Sequence, residues 1–399
     1  MIKPDKFWLA TDSDFYDIKS PAYTAHITWT NNIYDDFILM AESYFVCAHA
    51  TLSEIVNSGH DNIKSDMWFL PGMYMYRQAI ELLCKALIIP SINNNYQITN
   101  AFTQYKHNTE ALFTYYKSAL PVIPLNADEI NWINEYLTNM EYIDRGSDLF
   151  RYPFKDEFLS NYSDNFLDVV RMANGFEQCY SILFKCVAPN HDPLKYQADI
   201  DCTMSTNFLH FAPHGFGNCQ LYESPWSDGF YKQIEGYSNV AAYIFSRPNG
   251  LPKAQLFFPV AFLLRNAIEL SLKRLLYAKN VVCVSYHIKR SKKNSHFLYK
   301  DLWKNVKPVI EHYAETSQED LSQIEIAETY IKKLDEIDKK GDAFRYPINY
   351  GLQYRFSNQT IDINNIHSWM QGIFNFLDGC DSMLSAIYDY ECEMRSYYY

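Results

Sequence analysis

Apolar positions recur along much of this chain at helical spacing. Phe37, Met40, Ala41, Tyr44, Phe45 and Ala48 fall at i, i+3, i+4, i+7, i+8, the stripe of a helix that buries one face. Ile130, Ile133, Leu137 and Met140 repeat the pattern, as do Ile324, Ala327, Ile331 and Leu334. Two closing stripes follow, one from Phe166 through Val169, Val170 and Ala173 to Tyr180. The other runs from Ile366 through Trp369, Met370, Ile373 and Leu377 to Leu384. These stripes predict an all-α protein. Residues 187–228 break the period and carry Pro189, Pro193, Pro213, Pro225, Gly215 and Gly217, which predicts a connecting segment. Tyr23–Ile27 and Asn207–Phe211 are the two stretches expected as short strands.

The second pattern is repetition. Pro71, Arg77, Ala79, Ile80, Glu81, Leu82, Lys85 and Leu87 return, shifted by 188, as Pro259, Arg265, Ala267, Ile268, Glu269, Leu270, Lys273 and Leu275. Ile143–Pro153 returns as Ile337–Pro347, shifted by 194, with seven of the eleven pairs identical, including Phe-Arg-Tyr-Pro in full. Between these blocks, His107 precedes Leu112 and Phe113, and His296 precedes Leu302 and Trp303. Three blocks in one order predict an internal duplication. The expected organisation is two tandem bundles of four to five helices, residues 1–190 and residues 191–399, the second including the connecting segment.

Composition adjusts this picture little. Apolar residues make up 48% and charged residues 21%, as in an ordinary globular protein, and with only 13 glycines a turn-rich β architecture is disfavoured. The net charge of −12 argues against a protein that coats nucleic acid without specificity. The one dense basic run, Ile288–Lys293, reads as a solvated loop or a phosphate contact. Nine cysteines without a CxxC pair read as reduced thiols. With no apolar leader, and a longest apolar run of only Leu256–Leu264, the expectation is a cytoplasmic chain with no membrane partner.

Candidate chemistry lies in the repeated polar residues. Arg77, Glu81 and Lys85, like Arg265, Glu269 and Lys273, are spaced by four and share one helix face. They form either a solvated ladder of ion pairs or a partly buried network in which every charge must be paired. Pro153 and Pro347 bias Tyr152 and Tyr346 towards extended backbone, placing each Asp-x-Phe-Arg-Tyr-Pro motif just after a helix. Arg151 and Arg345 can clamp a carboxylate such as Glu81 or Glu269, or a phosphate. Asp148 and Asp342 complete the motif. Two readings stand side by side: a latch in which Asp148 and Arg151 cap helix ends, and a polar pocket converging on an anion. His107 and His296, each near a helix start, are the groups able to shuttle a proton near neutral pH. Cys202, His210, His214 and Cys219 match no standard zinc spacing, and no metal or cofactor is expected. Phosphate-loop, dinucleotide, HExxH and GxSxG motifs are absent from the sequence.

A helical bundle with Arg-x-x-x-Glu-x-x-x-Lys on its second helix, a helix-starting His and a following Arg motif resembles the HEPN superfamily (higher eukaryotes and prokaryotes nucleotide-binding). More particularly, it is similar to the divergent HEPN-like proteins of prokaryotic defence and toxin systems. The resemblance covers roughly residues 30–186 and 228–390. It implies a protein acting on RNA or a nucleotide, and a metal-independent endoribonuclease where Arg-x4-6-His is present. The sequence departs from that pattern. The positions where that His would fall after Arg151 are Asp156, Glu157 and Phe158, and those after Arg345 are Tyr350, Gly351 and Leu352; none is His. Arg290 and His296 have the required separation, but residues 101–106 of the first block contain no Arg. The implied activity would need a rearranged site, with His107, His296, Arg151 and Arg345 as its catalytic residues. The alternatives are a non-enzymatic module that binds a partner protein or ligand, and an acidic mimic facing a basic partner.

Overall fold

The computed structural model describes residues 7–398 apart from 60, 93, 163–164, 188–198, 214, 216, 222–228, 248–249, 278–295, 317 and 319. Helices dominate. The first part of the chain contains α1 (Ile33–Asn57), α2 (Phe69–Ile88), α3 (Asn95–Tyr105), α4 (Thr109–Ala119), α5 (Ala127–Ile143), α6 (Asp156–Tyr162) and α7 (Val169–Lys185). The second contains α8 (Tyr231–Ser246), α9 (Lys253–Tyr277), α10 (Lys304–Thr316), α11 (Ser322–Ile337) and α12 (Ile363–Tyr398).

The helix starts follow local chemistry. Asn32, Asn108 and Asp168 cap α1, α4 and α7 by accepting backbone N–H groups that no helical carbonyl can reach. Asn126 and Glu129 form a reciprocal capping box on α5. All six Phe37–Ala48 stripe residues are at most 1% exposed and Phe45 packs on Tyr180 of α7 with ring centroids 4.2 Å apart, so that stripe faces the core as predicted.

α1 packs on α2, α8 on α9, and both α2 and α9 are buried deep in the molecule. The stretch Lys253–Leu276 is long and apolar enough to cross a membrane, and 94% of its most apolar window is buried inside the fold. The two central helices meet where Tyr74 of α2 stacks on Phe262 of α9, centroids 4.8 Å apart. Gly236 on α8 is obligatory by close approach: a Cβ there would lie 2.2 Å from the Met67 carbonyl oxygen.

The strands are short, and they join distant parts of the chain. β1 (Thr24–Ile27) pairs antiparallel with β5 (Gln359–Asp362), Thr24 opposite Asp362. β2 (Phe166–Leu167) pairs with both β3 (Phe211–Ala212) and β4 (Cys219–Gln220). Thus the strand before α1 meets the strand before α12, and those before α8 meet the strand before α7. Two expectations need correction. Phe166 belongs to β2 and not to the closing helix, because Asp168 caps α7 immediately after it. Of Asn207–Phe211 only Phe211 is in a strand; Phe208 instead packs into the aromatic core beside Tyr136, Phe150 and Phe176.

Candidate functional site

α2 carries Arg77, Glu81 and Lys85 into the interior, where they are 0%, 0% and 5% exposed. Of the two readings, the buried network is the one observed. Lys85 Nζ donates to Glu81 Oε1 at 2.7 Å, and Arg77 Nη1 lies 3.6 Å from Glu81 Oε2. Arg77 also donates through Nη2 to the His107 carbonyl at 2.8 Å and sits 3.6 Å through Nε from Asp144 Oδ2. The other Asp144 oxygen accepts the N–H groups of Asp148 and Leu149, both at 2.9 Å. One guanidinium therefore ties α2 to the start of α4 and the exit of α5. Removing it would strand two buried carboxylates, a loss of several kcal/mol.

His107 stands at the rim of this network. Its side chain is 28% exposed, and its Nδ1 lies 3.1 Å from both Glu81 oxygens. A carboxylate only accepts, so Glu81 selects the tautomer with hydrogen on Nδ1. The cluster is completed from the other part of the chain. Tyr346 donates its hydroxyl to Glu81 Oε1 at 2.5 Å and lies 3.4 Å from His107 Nδ1, while its ring centroid sits 4.2 Å from Lys85 Nζ.

The positions shifted by 188 and 194 make matching contacts in the opposite sense. Lys273 donates to Glu269 at 2.6 Å, Arg265 to Glu269 at 2.8 Å and to the His296 carbonyl at 2.8 Å. Arg265 Nε lies 3.4 Å from Asp338, whose Oδ1 accepts the N–H groups of Asp342 and Ala343. His296 Nδ1 is 3.0 Å from Glu269, with its side chain 39% exposed. Tyr152, from the first part of the chain, donates to Glu269 at 2.9 Å, lies 3.1 Å from His296 Nδ1 and covers Lys273 at 4.4 Å. The turn that aims each motif needs a left-handed residue. Gly341 supplies it with φ +72°, and Ser147 occupies the matched position at φ +53°.

The electrostatics follow from burial and pairing. Burial opposes ionisation of Glu81, yet Lys85, His107 and Arg77 hold its carboxyl well below the usual 4.5. Glu269 is held well below in the same way, against burial, by Lys273, His296 and Arg265. The Glu81 carboxylate draws the His107 imidazole up, but burial and the Lys85 and Arg345 cations outweigh it and leave it below 6.5. His107 is therefore neutral at neutral pH. Burial lowers both Lys85 and Lys273 despite their glutamates. Burial also raises Asp144 to about 6 against the pull of Arg77.

Arg151 and Arg345 do not clamp Glu81 or Glu269 as expected; the adjacent tyrosines take that place. Arg345 donates to the Gly341 carbonyl at 2.9 Å and to the Tyr74 hydroxyl at 3.3 Å. Arg151 packs over the rings of Tyr74 and Phe262, both at 5.6 Å, with Asn266 Oδ1 3.5 Å away. Aromatic faces stand in for anions around both cations. The backbone of each motif is pinned as well: Gln78 donates to the Arg345 carbonyl and Asn266 to the Arg151 carbonyl. Tyr44 and Tyr237 donate to the carbonyls of Phe344 and Phe150.

Asp148 is not the cap that the latch reading made it, and its counterpart Asp342 caps nothing among the described residues either. Asp148 faces Lys155 at 3.6 Å near the surface, and Asp342 accepts from Arg355 at 2.9 Å. The capping role falls to Asp144 and Asp338, which sequence reasoning passed over although both blocks contain them. Gln78, Asn266, Tyr44 and Tyr237 were also missed. Their signal was weak: Gln78 lies inside the repeated block but returns as a different amide, Asn266, and Tyr44 lies outside both blocks.

Cys202 and Cys219 are free thiols, and among the described residues no three His, Cys, Asp or Glu side chains are grouped to hold a metal. His214 and the basic run Ile288–Lys293, with Arg290, lie outside the described residues. An open hollow of about 570 Å³, lined by Asn126, Asp128, Glu129, Lys185, Asp201 and Cys202 among others, includes none of the cluster residues. No protein-family model, curated protein or solved structure matches this chain.

Proposed function

We propose that the chain is a fused pair of one HEPN-like helical unit whose rim histidines act on a phosphate-bearing ligand, RNA or a nucleotide. The setting we assign is prokaryotic antiviral defence or a toxin–antitoxin system. One observation carries this reading: each partly exposed imidazole has its Nδ1 held by a buried glutamate that also binds a lysine. With Nδ1 carrying hydrogen, Nε2 keeps its lone pair and is the atom suited to take a proton from an attacking hydroxyl and return it to a leaving oxygen. Lys85 and Lys273, bonded to the same glutamates, place a positive charge in each cluster that favours an anionic ligand. This is a rearranged form of the Arg-x4-6-His site, with no metal in the chemistry.

The test is incubation of the purified chain with total RNA beside a His107→Ala/His296→Ala double variant. The expected result is cleavage by the wild type and a loss of at least about 100-fold in the variant. Equal cleavage by both removes the catalytic assignment.

The second reading is a non-enzymatic module in which the polar residues are scaffold. The full burial of Arg77, Glu81 and Glu269 favours it, as do the arginine bonds to the His107 and His296 carbonyls. Absence of cleavage by wild type would leave this reading in place.

A further inference from the structure

The four rim contacts cross between the two parts of the chain. Tyr346 reaches Glu81 and His107, which lie 265 and 239 residues away along the sequence, and Tyr152 reaches Glu269 and His296. Each hydroxyl touches the glutamate and the imidazole together, and each ring covers the lysine ammonium. The motif backbones are anchored on the helix they enter, through Gln78 and Asn266, and not on their own. The four rim contacts and the two backbone anchors are reciprocal.

We infer that Tyr346 is the positioning residue of the His107 site and Tyr152 that of the His296 site, so that neither part of the chain holds a complete site. The hydroxyl shares the glutamate with the imidazole and fixes how strongly that carboxylate holds Nδ1. The ring restrains the lysine that shares the same oxygen. Around His107 the charged and titratable groups are Glu81, Lys85, Arg345 and Tyr346. Around His296, among the described residues, they are Glu269 and Tyr152, with Lys273 and Arg265 on the same glutamate. The catalytic use of these sites rests on the function proposed above, but the pairing of tyrosine with histidine does not.

The test reads the two histidines separately, by NMR of the full chain labelled at His and Tyr. Tyr346→Phe keeps the ring over Lys85 and removes one donor from Glu81, leaving the carboxylate freer to hold a protonated imidazole. The His107 titration midpoint is then expected to rise by about 0.5 pH unit while the ring resonances of His296 keep their positions. Tyr152→Phe is expected to move the ring resonances of His296 and leave those of His107, so each variant is the control for the other. Equal movement of both histidines in either variant, movement of the wrong one, or no movement in both overturns the pairing. Should either variant fail to fold, cross-relaxation in the wild-type chain decides. Contact of Tyr346 with His107 and of Tyr152 with His296 supports the inference, and the opposite pairing or neither overturns it.

On RNA, Tyr346→Phe combined with His296→Ala is expected to lose activity about as far as the double histidine variant. Tyr152→Phe with His296→Ala keeps the His107 site and about half the wild-type rate, since both substitutions fall on one site. A wild type that cleaves nothing defeats the proposed function and leaves the NMR result to decide the pairing.

Discussion

The inner and outer faces of the two polar clusters use the same residue types to different ends. Inside, Arg77 with Asp144 and Arg265 with Asp338 are at most 2% exposed and bond to backbone at helix ends. At the rim, His107 and His296 are 28% and 39% exposed and are held through one nitrogen only. An arginine this deeply buried presents no donor to a ligand in solvent. An imidazole anchored at Nδ1 is fixed in direction and still has Nε2. The difference separates the groups that hold the molecule together from those that can do chemistry.

That division can be broken by substitution, beginning with the inner face. Arg265→Ala leaves Asp338 and Glu269 buried with fewer partners, and is expected to cost about 3–5 kcal/mol, read by urea unfolding. A cost below 1 kcal/mol would mean that the inner face does not hold the fold. Glu81→Gln keeps the shape but removes the anion shared by Lys85, Arg77 and His107. About 2–3 kcal/mol is expected, by the same measurement.

The pH dependence sharpens the same contrast. The carboxyls of Glu81 and Glu269 are held well below 4.5 in the fold, so their stabilisation is complete above that pH and is lost as pH falls through the depressed values. His107 is held below 6.5, so the unfolded chain takes up its proton first, and stability starts to fall as the pH drops below 6.5. His107→Asn is expected to flatten the stability curve just below pH 6.5, whereas Glu81→Gln is expected to flatten it below 4.5 and, by removing the anion that draws His107 up, to steepen it just below 6.5. Identical curves for the two variants would contradict the separation.

The smallest expected effect on stability is at the rim itself. His107→Ala and His296→Ala each remove a partly exposed side chain and should cost less than about 1 kcal/mol in thermal or urea melts, whatever they do to RNA cleavage. A large loss there would move the histidines into the scaffold.

Much of the helical framework was legible along the chain. The Phe37–Ala48, Ile130–Met140 and Ile324–Leu334 stripes lie on α1, α5 and α11, because a period of 3.6 leaves a direct trace in residue order. The polar residues were legible too, since Arg, Glu and Lys at one spacing in both blocks could be picked out without knowing their surroundings. Strand pairing was harder to read. β2, β3 and β4 are two residues each, too short to show an alternation, and β1 finds its partner more than 330 residues away.

By itself the sequence determined that the chain is mainly helical and which charged residues recur, because both are written in local order and spacing. Tertiary structure alone decided that Tyr152 and Tyr346, and not Arg151 and Arg345, reach the glutamates, and that each does so across the molecule. The physical reason is that Arg and Tyr are neighbours on one turn. Which of them faces a carboxylate and which an aromatic ring depends on how that turn is held, by the left-handed residues Ser147 and Gly341 and by side chains from the opposite central helix.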